Sequence, residues 1–211
     1  MCSFIDMVPV FRELAEITMG DMILKQKDQI VEIVSPRLSY FQESLRSNEG
    51  VVEWTDAETA LTAGLYHLRH LAQVWKPILS HDVYGRSMGN LIDTLFSLYF
   101  DQVISSKDIS EPACHFLSSL FKDAMRGVVE LFVSSGSASV DARKDATRFC
   151  SLWERFAAIG NFMDMSLADT RMALSDGIFR SMTGTELSRL IMAVFAKTET
   201  RQKLLDVLSS K

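Results

Sequence analysis

The stretch that decides the fold is TDAETALTAGLYHLRHLAQVWKP, residues 55–77. Thr55 and Glu58 have the spacing of a capping box, in which each side chain pairs with a backbone N–H that the first helical turn leaves free. Pro77 closes the stretch, because proline cannot continue a helix without losing a hydrogen bond. Between these signals, apolar side chains recur every three or four residues, at Leu61, Leu65, Leu68, Ala72 and Trp75. The pattern predicts an amphipathic helix with its apolar face in a core.

The same periodicity extends over nearly the whole chain. Ser47–Gly50 and Ser134–Ser139 predict loops by composition, the second a surface connection between long helices. Gly160 is expected to end one helix in a left-handed conformation, and Ser175–Gly177 to break another. With no alternating strand pattern and no fixed-period repeat, the sequence predicts an all-α fold of about eight or nine helices. Besides the helix above, eight are expected near residues 3–19, 21–34, 81–103, 111–133, 141–158, 163–174, 183–196 and 198–208, and the pattern also permits a short helix that ends near residue 46.

The carboxy-terminal residues carry a second capping-box pattern, formed by Thr183 and Glu186. The apolar residues that follow are expected to pack inward: Leu187, Leu190, Ile191, Val194 and Phe195. This segment is therefore predicted to dock on the rest of the fold. A partner surface is expected on the polar side of the two closing helices or on the preceding segment, where methionines are frequent (Met163, Met165, Met172 and Met182).

Composition limits the class of protein. The 211 residues are 47% apolar and 23% charged, which is typical of a packed globular fold. A net charge of −5 gives no basic footprint for nucleic acid. Three scattered cysteines, Cys2, Cys114 and Cys150, do not form a disulfide framework, so a reducing cytosolic setting is expected.

The amino-terminal residues are rather apolar but are not expected to be a signal peptide. Charged residues interrupt them, at Asp6, Arg12, Glu13 and Glu16, so they are predicted to form an amphipathic helix. No uninterrupted apolar run reaches the length of about 18 residues that a membrane span needs. Any role at a membrane is expected to be peripheral.

The sequence has few residues suited to metal binding or catalysis. His67 and His70 share a helix face, but a zinc site needs at least one further ligand with recognisable spacing. Cys114 and His115 are adjacent and so do not face each other on a helix, and Cys150 is expected in the core. A small helical enzyme or metal-binding protein that uses His67, His70 and Cys114 stands as the alternative function.

Two further sets of residues have structural interpretations. Gly85 and Gly89 have no preceding strand and no following Lys-Ser/Thr, so they favour close helix packing over a phosphate loop. Paired carboxylates are interpreted as solvated faces, because nothing nearby would separate their pKa values: Asp93 with Asp101, and Asp164 with Asp169.

Several elements resemble one known family. Residues 68–79 read LRHLAQVWKPIL and residues 83–92 read VYGRSMGNLI. They resemble the carboxy-terminal region of the zeste-white-ten centromere/kinetochore family, with its leucine-Trp-Lys element and Tyr-x-x-x-Met-Gly-x-Leu helix. Similar elements follow at Asp108–Ser110, Trp153–Phe156 and the closing segment that runs from Thr183 through Phe195–Arg201.

The resemblance is good from about Val52 to Leu205 and weaker over residues 1–50. It implies that residues 1–211 are one all-helical carboxy-terminal domain of a longer protein, with amino-terminal helices over 1–50 and a family-like bundle over 51–211. It also implies the elongated, helical-rod architecture of vesicle-tethering subunits.

The same resemblance implies a non-enzymatic interaction subunit with two roles. One is Golgi-to-ER retrograde tethering, with peripheral attachment to the ER membrane through partners. The other is the Rod–Zwilch–zeste-white-ten complex of kinetochores and spindle in mitosis, which supports the spindle checkpoint and dynein recruitment. The expected partners are other subunits of these complexes. No catalytic residue, cofactor, metal, small-molecule substrate or direct nucleic-acid contact is expected, and no partner-binding residue is assigned.

Overall fold

A computed structural model describes residues 4–46, 51–133 and 139–209, which form ten α-helices, one 3₁₀ turn and no β-strand. The all-α prediction is confirmed. The predicted loop at residues 47–50 and residues 134–138 of the second predicted loop lie outside the described residues, whereas Ser139, predicted to be the last residue of that loop, is the first residue of α6. The helices are α1 (Phe4–Val34), α2 (Phe41–Ser44), α3 (Val51–Trp75), α4 (His81–Ser105), α5 (Glu111–Phe132), α6 (Ser139–Phe149), α7 (Trp153–Phe162), α8 (Leu167–Ser175), α9 (Gly184–Val194) and α10 (Glu199–Ser209), and the 3₁₀ turn Ser35–Leu38 follows α1.

The helix α4 lies at the centre of the fold and packs against α1, α2, α3, α6, α7 and α9. Its apolar stripe is wide enough to meet all of them, as expected of a helix with several neighbours. The rings of Phe96 and Phe156 stack with centroids 3.8 Å apart, and Phe156 stacks in turn on Phe121 at 4.0 Å. This column of three rings joins α4, α7 and α5 through the core.

The first two predicted helices are one continuous helix, α1. The expected break fell at Gly20, and a glycine inside a helix costs only about 1 kcal/mol, which does not end a helix whose other half is held by packing. Ile30 and Val34, near its carboxyl end, are fully buried. Packing of the carboxyl end therefore stabilises α1 enough for the helix to continue through Gly20.

The capping box predicted at Thr55 and Glu58 is wrong, because α3 already begins at Val51. Trp54, in the turn before the predicted start, stacks on Phe116 of α5 with ring centroids 5.2 Å apart and an interplanar angle of 11°. This contact holds the preceding turn in the helix. The carboxyl end of α3 at Trp75 agrees with the stop expected from Pro77.

The helix predicted over residues 141–158 is divided into α6 and α7, with a break at residues 150–152. Gly160 lies inside α7 and does not have a positive φ, so its predicted role as a helix end is wrong. A Cβ at this position would lie 3.1 Å from the Cβ of Phe121, and the glycine serves close packing on α5. Gly177 does take the left-handed conformation, with φ of 74°, after α8 ends.

The start of α8 also differs from the prediction. The helix begins at Leu167 and not near Met163, because Ser166 and Asp169 form a capping box at that point. The Ser166 hydroxyl accepts a hydrogen bond from the Asp169 backbone N–H at 3.2 Å. This signal was present in the sequence and was missed.

Candidate functional site

The residues of the alternative chemical function do not form one site. His67 and His70 line a groove of about 780 Å³ beside the 3₁₀ turn, and Cys114 is not among its lining residues. His67 Nε2 lies 2.9 Å from Gln26 Oε1, and burial, with a smaller effect of His70, lowers the pKa of His67. Within the described ranges, no three His, Cys, Asp or Glu side chains are placed to hold a metal ion.

Cys114 is not arranged as a nucleophile. It is buried in α5, whereas the neighbouring His115 is exposed, as expected for adjacent residues on a helix. Burial, followed by the charges of Glu111 and Asp164, raises the pKa of Cys114 to about 11. The reactive form of cysteine is the thiolate, and this raised pKa keeps the thiol almost entirely protonated at neutral pH. Burial also raises the pKa of Cys150, which lies in the core as predicted.

Asp93 was expected on a solvated face, and this prediction is wrong. Its carboxylate lies between α4 and the break before α7, where it accepts hydrogen bonds from the Ser151 backbone N–H at 2.9 Å and hydroxyl at 2.6 Å. The other carboxylate oxygen accepts from the Leu152 backbone N–H at 3.0 Å. Asp93 therefore caps α7 from another helix and sets the corner between α6 and α7.

The other carboxylates also lack the arrangement of an acid–base pair. Asp164 accepts hydrogen bonds from Lys122 Nζ and from the Ser118 hydroxyl, and these bonds lower its pKa. Asp169 belongs to the capping box of α8, and Asp101 is exposed on α4. The carboxylates of Asp93, Asp164 and Asp169 therefore hold neighbouring parts of the fold in place through hydrogen bonds.

Gly85 and Gly89 permit the close approach of α4 and α6, as predicted. A Cβ at Gly89 would lie 2.1 Å from the carbonyl oxygen of Phe149, and one at Gly85 would lie 2.4 Å from the ring of the same residue. Distances below 3.0 Å are essentially never observed for a real Cβ. No other residue fits at Gly89 without moving the backbone of α6.

The residues that carry the family resemblance hold helix ends together. The Tyr84 hydroxyl donates to the Leu131 carbonyl oxygen at 2.7 Å, and Lys76 Nζ donates to the same oxygen at 3.2 Å. Lys76 also donates to the carbonyl of Val133 and lies 5.7 Å from the centroid of the Tyr84 ring. Both side chains thus satisfy carbonyl groups that the last turn of α5 leaves free. Reasoning from the sequence missed this cap, although the motif marked both residues.

The connection Asp108–Ser110 has a similar structural role. The Ile109 backbone N–H donates to the Ala193 carbonyl at the end of α9 at 2.9 Å, and the Ser110 N–H donates to the Leu45 carbonyl at 2.8 Å. Ser110 also caps α5, as its position before Glu111 predicts. One short segment therefore joins the first half of the chain to its closing helices.

The closing helices dock as predicted. Thr183 and Glu186 form a complete capping box, and Leu187, Leu190 and Ile191 are buried. Val194 and Phe195 are partly buried against the core. Glu186 also forms an ion pair with Arg155, whose guanidinium lies 4.6 Å from the centroid of the Phe100 ring.

Arg201 fixes the junction between the last two helices. Its guanidinium donates to the carbonyl oxygens of Phe195 at 2.7 Å and Met192 at 3.3 Å, at the end of α9. A cation at this end of a helix also interacts favourably with the helix dipole. Arg201, in the first turn of α10, therefore fixes the position of this helix relative to α9.

A groove of about 740 Å³ lies between α8 and α10, where the two surfaces predicted for a partner meet. Met163 and Met182 are buried, but Met172 is 66% exposed in the wall formed by α8. The charged residues that line the groove are Arg171 on α8, Lys203 on α10 and Asp176 directly after α8. The groove can accept an apolar side chain, since methionine adapts its shape readily.

The described helices include none that is both long and apolar enough to cross a lipid bilayer.

Comparisons with a family profile and with individual proteins point to the same family. The sequence profile of the ZW10 C-terminal helical domain family matches residues 59–208. The chain is similar to the centromere/kinetochore protein zw10 homologs of Mus musculus, with 26% identity over 204 residues, and of Rattus norvegicus, with 25%. The homolog of Arabidopsis thaliana is 21% identical over 204 residues.

These alignments cover 94% to 96% of this chain but only 26% to 27% of the relatives. The chain thus spans about a quarter of the length of the curated relatives that it matches. No solved structure shows significant similarity to it.

Proposed function

Because this chain belongs to the family of ZW10 C-terminal helical domains, we propose that it is a non-enzymatic interaction subunit of a multisubunit tethering complex. The observation that carries the proposal is the family match over residues 59–208, most of the described helical bundle. The roles found for the motif residues support it, since Lys76 and Tyr84 hold helices together and do not line a reactive site.

The proposed activity has two settings. In interphase the subunit acts in Golgi-to-ER retrograde vesicle tethering and is attached peripherally to the ER membrane through its partners. In mitosis it acts at kinetochores and the spindle, in the complex that supports the spindle checkpoint and dynein recruitment. The name of the mammalian relatives, centromere/kinetochore protein zw10 homolog, supports the second setting. A net charge of −5 supports contact with proteins over direct contact with nucleic acid.

We assign the partner contact to the groove between α8 and α10. Its occupant is an amphipathic helix of a partner subunit, since helices with apolar anchors dock in grooves of this kind. The anchor enters beside Met172, and acidic residues of that helix meet Arg171 and Lys203. One basic side chain stands on each wall, and together they outweigh the single acidic lining residue, Asp176, so the groove favours a partner helix with acidic residues on either side of its apolar anchor.

The experiment is co-purification of the tagged chain from interphase and mitotic cells, with detection of the Rod and Zwilch subunits and of the ER tethering subunits. The wild-type chain is expected to recover subunits of at least one complex. Met172→Glu should reduce this recovery at least about tenfold, because it places a charge where an apolar anchor is buried. Met192→Glu is the matched control, since Met192 is 48% exposed on α9 outside the groove.

The possible outcomes distinguish a failure of the proposed function from a failure of the groove as the binding surface. A wild-type chain that recovers none of these subunits under either condition contradicts the proposed function. Equal recovery by wild type, Met172→Glu and Met192→Glu keeps the function but refutes the groove as its surface.

A further inference from the structure

A second groove, of about 530 Å³, lies between α5 and α7, and α6 borders it on a third side. Its floor is apolar and partly or almost completely buried, and consists of Phe121, Met125, Val129, Trp153 and Ala157. Sites for small molecules usually have volumes of about 300–1,000 Å³ and linings of this kind. We call this cavity the α5–α7 groove, and its size and lining are those of a ligand site.

The α5–α7 groove is long and narrow. On α5 its apolar lining residues recur every four residues and form one row along the helix: Phe121, Met125, Val129 and Val133. This row is about 18 Å long, at 1.5 Å per residue. A cavity of 530 Å³ with that length has a mean cross-section of about 30 Å², whereas an α-helix with its side chains is about 10–12 Å wide and so needs about 80 Å² or more. The groove therefore accepts an extended alkyl chain and is too narrow for a helix.

The charges around the α5–α7 groove leave one cation for a ligand. Three of the charged lining residues already have an ion-pair partner: Lys122 with Asp164, Arg126 with Asp123 and Glu130 with Arg69. Arg143 of α6 also lines the groove and is exposed, and it forms no ion pair with any residue that the structure describes. A guanidinium in this state binds a carboxylate through two parallel hydrogen bonds. The groove therefore matches a ligand with an apolar chain and one acid group.

We propose that the α5–α7 groove binds a free fatty acid, with its alkyl chain along the apolar row of α5 and its carboxylate on Arg143. Burial of the chain removes apolar surface from water, and Met125 adapts its shape to the chain. The ion pair with Arg143 fixes the direction in which the chain lies. This inference does not rest on the proposed function, because neither α8 nor α10 contributes to the groove.

The test is isothermal titration calorimetry of the full chain with dodecanoate, at concentrations below those at which it forms micelles. Wild type is expected to bind dodecanoate saturably, at one molecule per chain. Dodecyltrimethylammonium carries the same alkyl chain on a cationic head and should bind at least about tenfold more weakly, because it lacks the charge-assisted bonds to Arg143. Saturable binding with this preference supports the proposal.

Arg143→Gln should weaken the binding of dodecanoate at least about tenfold, because it removes the charge that pairs with the carboxylate. Arg171→Gln is the matched control, since Arg171 is also an exposed arginine but lines the groove between α8 and α10. It should leave the affinity unchanged. Arg143→Glu should reverse the preference, so that dodecyltrimethylammonium binds more tightly to this variant than to wild type.

The position of the chain is tested with a bromododecanoate, whose bromine quenches the fluorescence of nearby indole rings. Trp153 lies in the floor of the groove, whereas Trp75 lies at the end of α3 and does not line it. The fraction of fluorescence that is quenched should fall in Trp153→Phe and should not fall in Trp75→Phe. Both variants retain an aromatic ring at a buried position, so the core stays filled.

Several results would overturn the proposal. One is the absence of saturable binding by dodecanoate, and another is equal affinity of wild type for dodecanoate and dodecyltrimethylammonium. Equal weakening by Arg143→Gln and Arg171→Gln also contradicts it, because loss of net charge would then explain both results. Undiminished quenching in Trp153→Phe would place the alkyl chain outside the α5–α7 groove.

Discussion

Replacing Gly89 by alanine should destabilise the fold, although alanine is the better helix former. The added Cβ would lie 2.1 Å from the Phe149 carbonyl oxygen, so α4 and α6 must separate by about 1 Å to reach an acceptable contact. The obstacle is backbone, which cannot change rotamer as a side chain can. Overpacking of this kind costs about 1–3 kcal/mol and sometimes more, against a gain of about 1 kcal/mol from helix propensity.

We expect a net loss of about 2 kcal/mol in the free energy of unfolding for Gly89→Ala. In a chain of this size, such a loss lowers Tm by roughly 4–8 °C. Urea unfolding followed by circular dichroism measures the free energy, and a thermal scan measures Tm. Both experiments should be run at one fixed protein concentration.

Gly20→Ala is the matched control. Gly20 also lies inside a long helix, but a Cβ there meets nothing within 4 Å. The same substitution should therefore stabilise the protein by about 0.5–1 kcal/mol. If Gly89→Ala is as stable as wild type or more stable, the close contact between α4 and α6 is refuted. If both variants lose stability equally, the loss does not come from that contact.

Three further predictions concern polar contacts. Asp93→Ala should cost about 2–3 kcal/mol in urea unfolding, because it removes the carboxylate that caps α7, and Asp93→Asn should cost less because it retains one oxygen acceptor. Tyr84→Phe should cost about 1 kcal/mol in the same assay, since it removes the hydroxyl bonded to the Leu131 carbonyl, and an unchanged midpoint would refute that bond. Hydrogen bonds from Lys122 and Ser118 lower the pKa of Asp164 below its ordinary value of 3.8. Its stabilisation is therefore present above about pH 4 and lost as the pH falls below it. The stability difference between wild type and Asp164→Asn should be less than about 1 kcal/mol at pH 7, because the pair is exposed, and should shrink on acidification.

The sequence predicted those parts of the fold that depend on local periodicity. The apolar stripe of α4, the cap at Ser110 and the capping box at Thr183 were all correct, because each signal lies within a few residues along the chain. The placement of Cys114 and His115 on different sides of α5 also followed from local geometry. The packing role of Gly85 and Gly89 could be predicted because the sequence around them lacks the other parts of a phosphate loop.

The predictions were wrong where a residue far away in the sequence determines where a helix begins or ends. The start of α3 depends on stacking between Trp54 and Phe116, and the break between α6 and α7 depends on Asp93, which is 58 positions before Ser151. The cap on α5 similarly requires Tyr84 to meet a carbonyl 47 positions later. Hydropathy patterns do not contain such pairings, because side-chain spacing on one helix says nothing about which other helix lies beside it.

The position of Asp93 in the sequence also bears on when the corner between α6 and α7 can form. The residues of α4 leave the ribosome before those of α6 and α7, so the carboxylate that holds the corner is already available when residues 150–152 appear. Since Asp93 lies outside α6 and α7, we expect the corner to become fixed only when this segment meets α4. We therefore expect the α6–α7 corner to form together with docking on α4, so that α4 directs how the two later helices are oriented.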